Sequence, residues 1–408
     1  MKNIEGGVIA SKGFKTSSVN VAIKPNNTKR DMAMIYSDVP CVSAGVFTTN
    51  KVKAAPVKWD HKVVHESDFS QAVVVNTGVA NACTGEAGYN CCKEMAYTAG
   101  EALNIDGEAV LVASTGVIGA NLPMDKINAG IKKLAPILSD KLEESTNSAK
   151  AIMTTDTVPK EVALELTIGG KVAHIGGMCK GAGMIHPNMA TMLCFITTDI
   201  AIDKALMQEA LSEVVKTTFN MISVDGDTST NDTVLVLANG LCGNDKIVTK
   251  SEDYKAFHEA LHYVMEELSK KIAGDGEGAS CLFEVKVFNA STYENAKTLA
   301  KSIVTSNLTK AAIFGHDANW GRILCAMGYS GAEFDPEIVD IYFESEVGKL
   351  KIVENGRATD YSEELATKIL SAPKVTAIAD VKEGSECATA WGCDLTLDYV
   401  KINADYRS

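Results

Sequence analysis

Two strand-like stretches meet at a glycine pair in the middle of the chain, and that junction limits the fold more than any other feature. From Lys160 to Ile175, apolar and β-branched residues lie on both sides of Gly169-Gly170, the composition of a two-residue hairpin turn with positive φ. A hairpin joins antiparallel neighbours, which disfavours a sheet built only from strand-helix-strand crossovers. Further strand-like runs are Met32 to Tyr36, Ala72 to Asn76, Val110 to Ala113, Thr233 to Ala238, Cys281 to Phe288 and Ile338 to Phe343. Helical periods run from Cys91 to Leu103, Asp125 to Leu138, Asp203 to Phe219, Tyr254 to Ile272, Tyr293 to Val304 and Ser362 to Leu370. Several open on an Asp or Ser suited to an N-cap. The reading is a layered α+β fold. With 408 residues the chain exceeds what one core usually organises. A layered core over about residues 1–288 and a smaller C-terminal domain over 289–408 are expected, the boundary being taken from the gap after Phe288.

Hydrophobic residues at 46% and charged residues at 22% give the balance of an ordinary folded protein rather than a disordered one. A net charge of -13 with only short basic clusters, such as Lys132-Lys133 and Lys270-Lys271, excludes a nucleic-acid footprint. No apolar run reaches the roughly 18 residues that span a bilayer, and the first residues carry no apolar signal segment, so a cytoplasmic protein without a membrane partner is expected. Eleven cysteines, an odd number without a signal segment, argue for reduced thiols that serve packing. Cys91-Cys92 are adjacent and Cys387 is six residues from Cys393; no C-x-x-C pair offers a zinc site.

His258-Glu259-Ala260-Leu261-His262 has the H-E-x-x-H spacing that puts two imidazoles on one helix face for zinc. The same segment has a simpler explanation: Phe257, Leu261, Val264, Met265, Leu268 and Ile272 form one apolar stripe and leave His258 and Glu259 on the flank. Asp225-Gly226-Asp227 opens like a calcium loop, but Thr230 and Val236 stand where the loop needs its Gly and its bidentate Glu. The glycines around Lys180 lack the G-K-[ST] order of a phosphate loop, and no G-x-S-x-G elbow occurs. What remains is the run K-G-A-G-M-I-H-P-N-M-A-T-M-L over residues 180–193, a glycine-rich loop leading into a strand. From pattern alone, Thr191 is a strand residue favoured for its branched Cβ.

The motifs in sequence order point further. Gly6-Gly7, Lys12-Gly13-Phe14, Asn76-Thr77-Gly78, Asn81-Ala82-Cys83-Thr84-Gly85, Ser114-Thr115-Gly116-Val117-Ile118-Gly119 and Met153-Thr154-Thr155-Asp156-Thr157 precede the K-G-A-G-M loop and M-A-T-M-L. Ser223-Val224-Asp225-Gly226-Asp227-Thr228-Ser229-Thr230-Asn231-Asp232, Gly274-Asp275-Gly276-Glu277-Gly278, His316-Asp317-Ala318-Asn319-Trp320-Gly321-Arg322 and Ala390-Trp391-Gly392-Cys393-Asp394-Leu395-Thr396 follow. In this order, over essentially the whole chain, they resemble the ornithine acetyltransferase family of arginine biosynthesis, the bifunctional glutamate N-acetyltransferases.

That resemblance implies self-cleavage between Ala190 and Thr191, giving an alpha fragment of residues 1–190 and a beta fragment of 191–408. Thr191 would then be both nucleophile and, through its new α-amino group, general base. It implies ping-pong transfer of acetyl from N-acetylornithine to glutamate through an acetyl-Thr191 ester. The oxyanion donors it implies are the Thr115 hydroxyl and the Gly116 amide. The substrate-binding residues carried over are Thr154, Lys180, Thr191, Glu277, Asn403 and Ser408; the last usually is Thr in the family. The implied fold is an αββα sandwich core of the N-terminal-threonine aminopeptidase/ornithine acetyltransferase type, with a smaller C-terminal α/β domain. No cofactor and no metal are implied, acetyl-CoA being left open as a co-substrate. The fragments are expected to stay together as a heterotetramer of two of each. Two alternatives stand beside this one: an N-terminal-nucleophile aminopeptidase or amidase, and a zinc protease using His258 and His262.

Overall fold

The computed structural model describes residues 1–25, 28–186 and 192–404. Its strands, in chain order, begin with Lys2–Ile4 (β1), Phe14–Val19 (β2), Met32–Phe47 (β3), Ser70–Val79 (β4), Val110–Val117 (β5) and Lys160–Ile168 (β6). Lys171–Lys180 (β7), Leu193–Thr198 (β8), Ile222–Ser223 (β9), Thr233–Ala238 (β10) and Leu282–Ala290 (β11) follow. The last are Asp340–Ser345 (β12), Gly348–Glu354 (β13), Arg357–Ala358 (β14), Lys374–Asp380 (β15) and Glu386–Cys393 (β16). Helices are Ala55–Glu66 (α1), Gly85–Leu103 (α2), Met124–Leu134 (α3), Leu142–Ala151 (α4), Lys204–Thr217 (α5) and Glu252–Gly274 (α6). Tyr293–Thr305 (α7), Asn307–Phe314 (α8), Trp320–Gly328 (α9), Glu363–Leu370 (α10) and Leu397–Ala404 (α11) complete the set. The protein is α+β, as expected.

Two compact units share the chain: Met1–Gly181 with Pro187–Thr218 and Thr228–Leu268, and Ala182–His186 with Phe219–Asp227 and Ser269–Ser408. The sequence expectation put one boundary near residue 288. In the structure the last crossing falls at 268–269, because β11 pairs with β15 and β16 and so belongs to the second unit.

The first unit holds a nine-stranded sheet in the order β1-β6-β7-β8-β10-β3-β4-β5, with β2 also on β3. The Gly169-Gly170 turn is as read from the sequence: φ is +54° and +73° and Ile168 pairs with Lys171. β3 is long enough to serve both halves of the sheet. Its start pairs with β2 and β4, its end with β10, and the ladder is interrupted between Tyr36 and Cys41. Pro40 stands in that interruption, where its missing N–H costs no ladder bond. β8 and β10 are buried along their whole length, so both faces of these central strands are covered. β7 lies before residue 190 and β8 after it, and they pair antiparallel, so the sheet draws strands from both sides of the expected cut.

The helix α1 packs on β3 and β5; Trp59 is buried and its Nε1 donates to the Val110 carbonyl at 2.9 Å. Beside it lies Asp60, fully buried, whose Oδ1 accepts the Val112 N–H at 2.8 Å while Oδ2 has no partner. Burial raises its carboxyl well above the usual carboxylate range, against the single backbone hydrogen bond that opposes it. A raised folded-state value means that stability is lost as pH climbs above the unfolded value of about 3.9. Asp60→Asn is therefore expected to raise the melting temperature at neutral pH and to change it little near about pH 3; thermal melts at the two pH values test this.

The second unit is built on a seven-stranded sheet in the order β14-β13-β12-β15-β11-β16-β9, with α7 packed on β11 and β16. Glu284 of β11 is buried there. Burial alone would raise its carboxyl, but the Trp391 indole N–H at 2.8 Å and the Lys286 and Lys374 ammonium groups hold it below the usual range. In the motif from His316 to Arg322, Asn319 caps α9 through the Arg322 N–H, and the Arg322 guanidinium donates to the Leu308 carbonyl at 2.8 Å. These contacts are structural.

Candidate active site

Strands β4 and β5 run parallel as far as Gly78 and Gly116, where the register slips and Val79 faces both Thr115 and Val117. The φ values there are +101° at Gly78 and +132° at Gly116, and a Cβ on Gly116 would overlap the Gly78 carbonyl and the Val79 nitrogen. Position 116 accepts only glycine on both counts. The strand end before it is fixed from two sides. Ser114 Oγ donates to Asn76 Oδ1 at 2.6 Å, and Asn231 Nδ2 donates to the carbonyls of Ser114 at 2.8 Å and Ala80 at 2.6 Å. Two residues after Asn231, the Thr233 N–H donates to the Met192 carbonyl at 2.9 Å. Met192 is the first described residue after the expected cut.

Lys180 ends β7 and is the ladder partner of Leu193 in β8. Its Nζ donates to Thr115 Oγ1 at 3.5 Å, and both side chains are buried. Asp156 stands beside them. One of its oxygens accepts from Lys160 Nζ at 2.7 Å and from the Gly181 N–H at 2.7 Å; the other accepts the Thr154 N–H at 3.1 Å. Burial alone would push its carboxyl up, but the Lys180 and Lys160 ammonium groups and these hydrogen bonds outweigh it and keep it below the usual range. Asp156 thus holds Thr154, Lys160 and Gly181, while the neighbouring Lys180 reaches the Thr115 hydroxyl, with Gly116 next in the chain.

The second unit assembles Glu277 and Asn403. The Glu277 N–H donates to the Ala182 carbonyl at 2.8 Å, and its carboxylate lies against Gly183, where a Cβ would overlap it. Asn403 Nδ2, from α11, donates to Glu277 Oε2 at 2.7 Å. Thr396 ties the start of that helix to the Gly278 carbonyl at 2.8 Å. Met184 has φ +56°, uncommon for a residue with a side chain. Asp225 secures it: one oxygen accepts the Met184 N–H at 2.6 Å, the other the Ile185 N–H at 2.8 Å, and the Tyr399 hydroxyl donates to it at 3.3 Å. His186 Nδ1 is 3.1 Å from Ser223 Oγ. Burial, with the nearby Lys301 charge, lowers His186 to about 4, so its imidazole is neutral at physiological pH.

Ala190, Thr191 and Ser408 lie outside the described residues. Asp156 and His186 are groups to which the sequence reading gave no role, and Asp225 entered it only as the opening of a calcium loop that fails. Of the alternative site, His258 Nε2 meets Glu213 at 3.3 Å, and His262 meets Thr217 at 3.1 Å and Glu266 at 3.5 Å. The apolar stripe of α6 is buried as expected, leaving both imidazoles on the flank.

The ArgJ family model matches residues 15–408. The chain belongs to the ArgJ family. Members named arginine biosynthesis bifunctional protein ArgJ are 52% identical over 409 residues in Symbiobacterium thermophilum, covering all of both chains. One from Clostridium acetobutylicum is 53% identical over 395 residues, covering 97% of this chain and 96% of that one. A crystal structure of the ArgJ protein of Bacillus halodurans is similar with TM-score 0.50 and 47% identity, covering 52% of this chain and 97% of that one. As an ArgJ protein, this chain is an acyltransferase of arginine biosynthesis, which removes the zinc protease from consideration.

Proposed function

We propose that the chain cuts itself between Ala190 and Thr191 and then carries acetyl from N-acetylornithine to glutamate as an ester on Thr191. The observation that carries this reading is the ladder pair Lys180–Leu193, with the Thr115 hydroxyl on the Lys180 ammonium: the oxyanion strand meets the two strands that flank residue 191. The solved Bacillus halodurans chain supports the cut. It is matched over 97% of its own length yet accounts for only 52% of this chain, close to the share that residues 191–408 make up.

The freed α-amino group, with an ordinary pKa near 8, takes the proton from the Thr191 hydroxyl as it attacks the donor's amide carbonyl. Thr115 and Gly116 hold the oxyanion that forms, ornithine leaves, and the amine of glutamate attacks the ester to regenerate the hydroxyl. Lys180 receives the substrate carboxylate, and Glu277, held by Asn403, receives a substrate amine. An amidase would give the acyl group to water instead.

Protein mixed with N-acetylornithine alone, quenched in acid and weighed, is expected to show one acetyl increment on the fragment beginning at Thr191, discharged on adding glutamate with N-acetylglutamate formed. An increment lost to water at the same rate with or without glutamate would reject transfer in favour of hydrolysis. Gly183→Ala puts a methyl where the Glu277 carboxylate lies and is expected to raise KM roughly tenfold or more while kcat falls much less; steady-state kinetics on both substrates read this.

A further inference from the structure

The start of α1 carries the wrong charge for a helix. Acidic residues and capping oxygens favour that end, where the macrodipole is positive, and cations there are unfavourable. Yet Ala54 stands at the cap with no side-chain hydrogen bond, and the first turn holds no acid. Lys51 and Lys53 lead into the helix and Lys58 lies in its first turn. The chain has a net charge of -13, but among the described residues none of these three lysines forms an ion pair or a side-chain hydrogen bond. All three line one cavity of about 230 Å³ inside the first unit, and no Asp or Glu lines it. Another part of its wall is the opening of α2, from Cys83 to Gly85. Thr84 does not cap that helix, because its hydroxyl donates to Asn81 Oδ1 at 2.8 Å. The two helix starts are tied together by the Ala55 N–H, which donates to the Asn81 carbonyl at 3.1 Å.

We propose that this cavity binds the phosphate groups of a small ligand, a diphosphate or the phosphate end of a nucleotide, with Lys51, Lys53 and Lys58 as its charge partners. Three cations without an acid suit a ligand that carries several negative charges, and lysine serves phosphate as a point charge. The volume is below the roughly 300 Å³ at which pockets for whole drug-sized molecules begin, so the cavity takes the phosphates and leaves any larger remainder outside. The Ala80 N–H donates to the Val117 carbonyl at 2.9 Å and the Gly119 N–H to the Ala82 carbonyl at 3.0 Å. The cavity wall is thereby bonded to the segment that follows Gly116. The site does not depend on the transfer reading, because its test measures binding.

Cys83 is exposed and lines the cavity, which makes it a reporter; Cys325 and Cys387 are exposed and outside the lining, which makes them controls. Alkylation of the full-length protein by iodoacetamide is followed at each cysteine by peptide mass. Inorganic pyrophosphate at constant ionic strength is expected to slow alkylation of Cys83 about threefold or more, with half the effect at on the order of 1 mM, and to leave Cys325 and Cys387 unchanged. Adenosine diphosphate that protects at lower concentration than pyrophosphate assigns the site to the phosphate end of a nucleotide; equal protection assigns it to a free diphosphate. The triple variant Lys51→Met, Lys53→Met, Lys58→Met changes only exposed positions, so it should fold. In it, Cys83 is expected to react at the same rate with and without pyrophosphate. No protection in the wild type, protection that persists in the triple variant, or equal protection by citrate overturns the proposal.

Discussion

Thr191→Ala is expected to leave one uncut chain of 43.4 kDa, whereas the wild type gives two pieces that divide that mass in the ratio 190 to 218, roughly 20 and 23 kDa. Intact-mass spectra of the denatured proteins read the difference directly. The same variant has neither hydroxyl nor new amine, so acetyl transfer should fall to background, a loss of the order of a million-fold when a nucleophile-base unit is removed whole. Thr191→Ser keeps a hydroxyl beside the same peptide and should still cut. An uncut wild type, or a Thr191→Ala chain that divides at the same place, would show that the hydroxyl of residue 191 does not drive the cleavage. Because β7 and β8, which lie on either side of the proposed cut, pair with each other, the two pieces should co-purify until denatured.

The parts of the fold that sequence made legible are those with one strong local signal. The Gly169-Gly170 turn, the buried run of β10 and the α6 stripe stand where periodicity and turn chemistry put them. The helix α1 was missed: it opens on Ala55-Pro56 without a side-chain cap, and its buried face of Val57, Trp59, Val63 and Val64 is interrupted by Asp60. The boundary near 288 shifted because strand partners, not linkers, decide which unit β11 joins. At the candidate site, the residues proposed to carry chemistry were reachable only by resemblance. Asp156 lies in a T-T-D-T run with no periodicity; the β6–β7 hairpin is legible, but the side-chain meeting of Asp156 with Thr154, Lys160 and Gly181 that it brings about is not announced by the run itself. Asp225 was read only as a failed calcium ligand, whereas its oxygens are spent on the Met184 and Ile185 N–H groups.

Thr115→Ala should slow acetyl transfer by about a hundredfold or more, the loss of roughly 3 kcal/mol that follows removal of one oxyanion donor. The geometry makes this the cleaner of the two tests of the oxyanion strand. Gly116 cannot accept a side chain without displacing Gly78, so its variants confound folding with catalysis, whereas a methyl at 115 fits in the space the threonine already fills. At 3.5 Å the Lys180 contact with the hydroxyl is long, and its loss should move KM only slightly. The prediction is thus a fall in kcat with KM nearly constant, measured on protein shown by mass to be cut. Thr115→Ser retains the hydroxyl and should recover most of the rate. Equal losses in alanine and serine variants would mean that the methyl packing matters and the hydroxyl does not; a near-normal kcat for alanine would take residue 115 out of the oxyanion site and leave Gly116 and its neighbours to hold the charge alone.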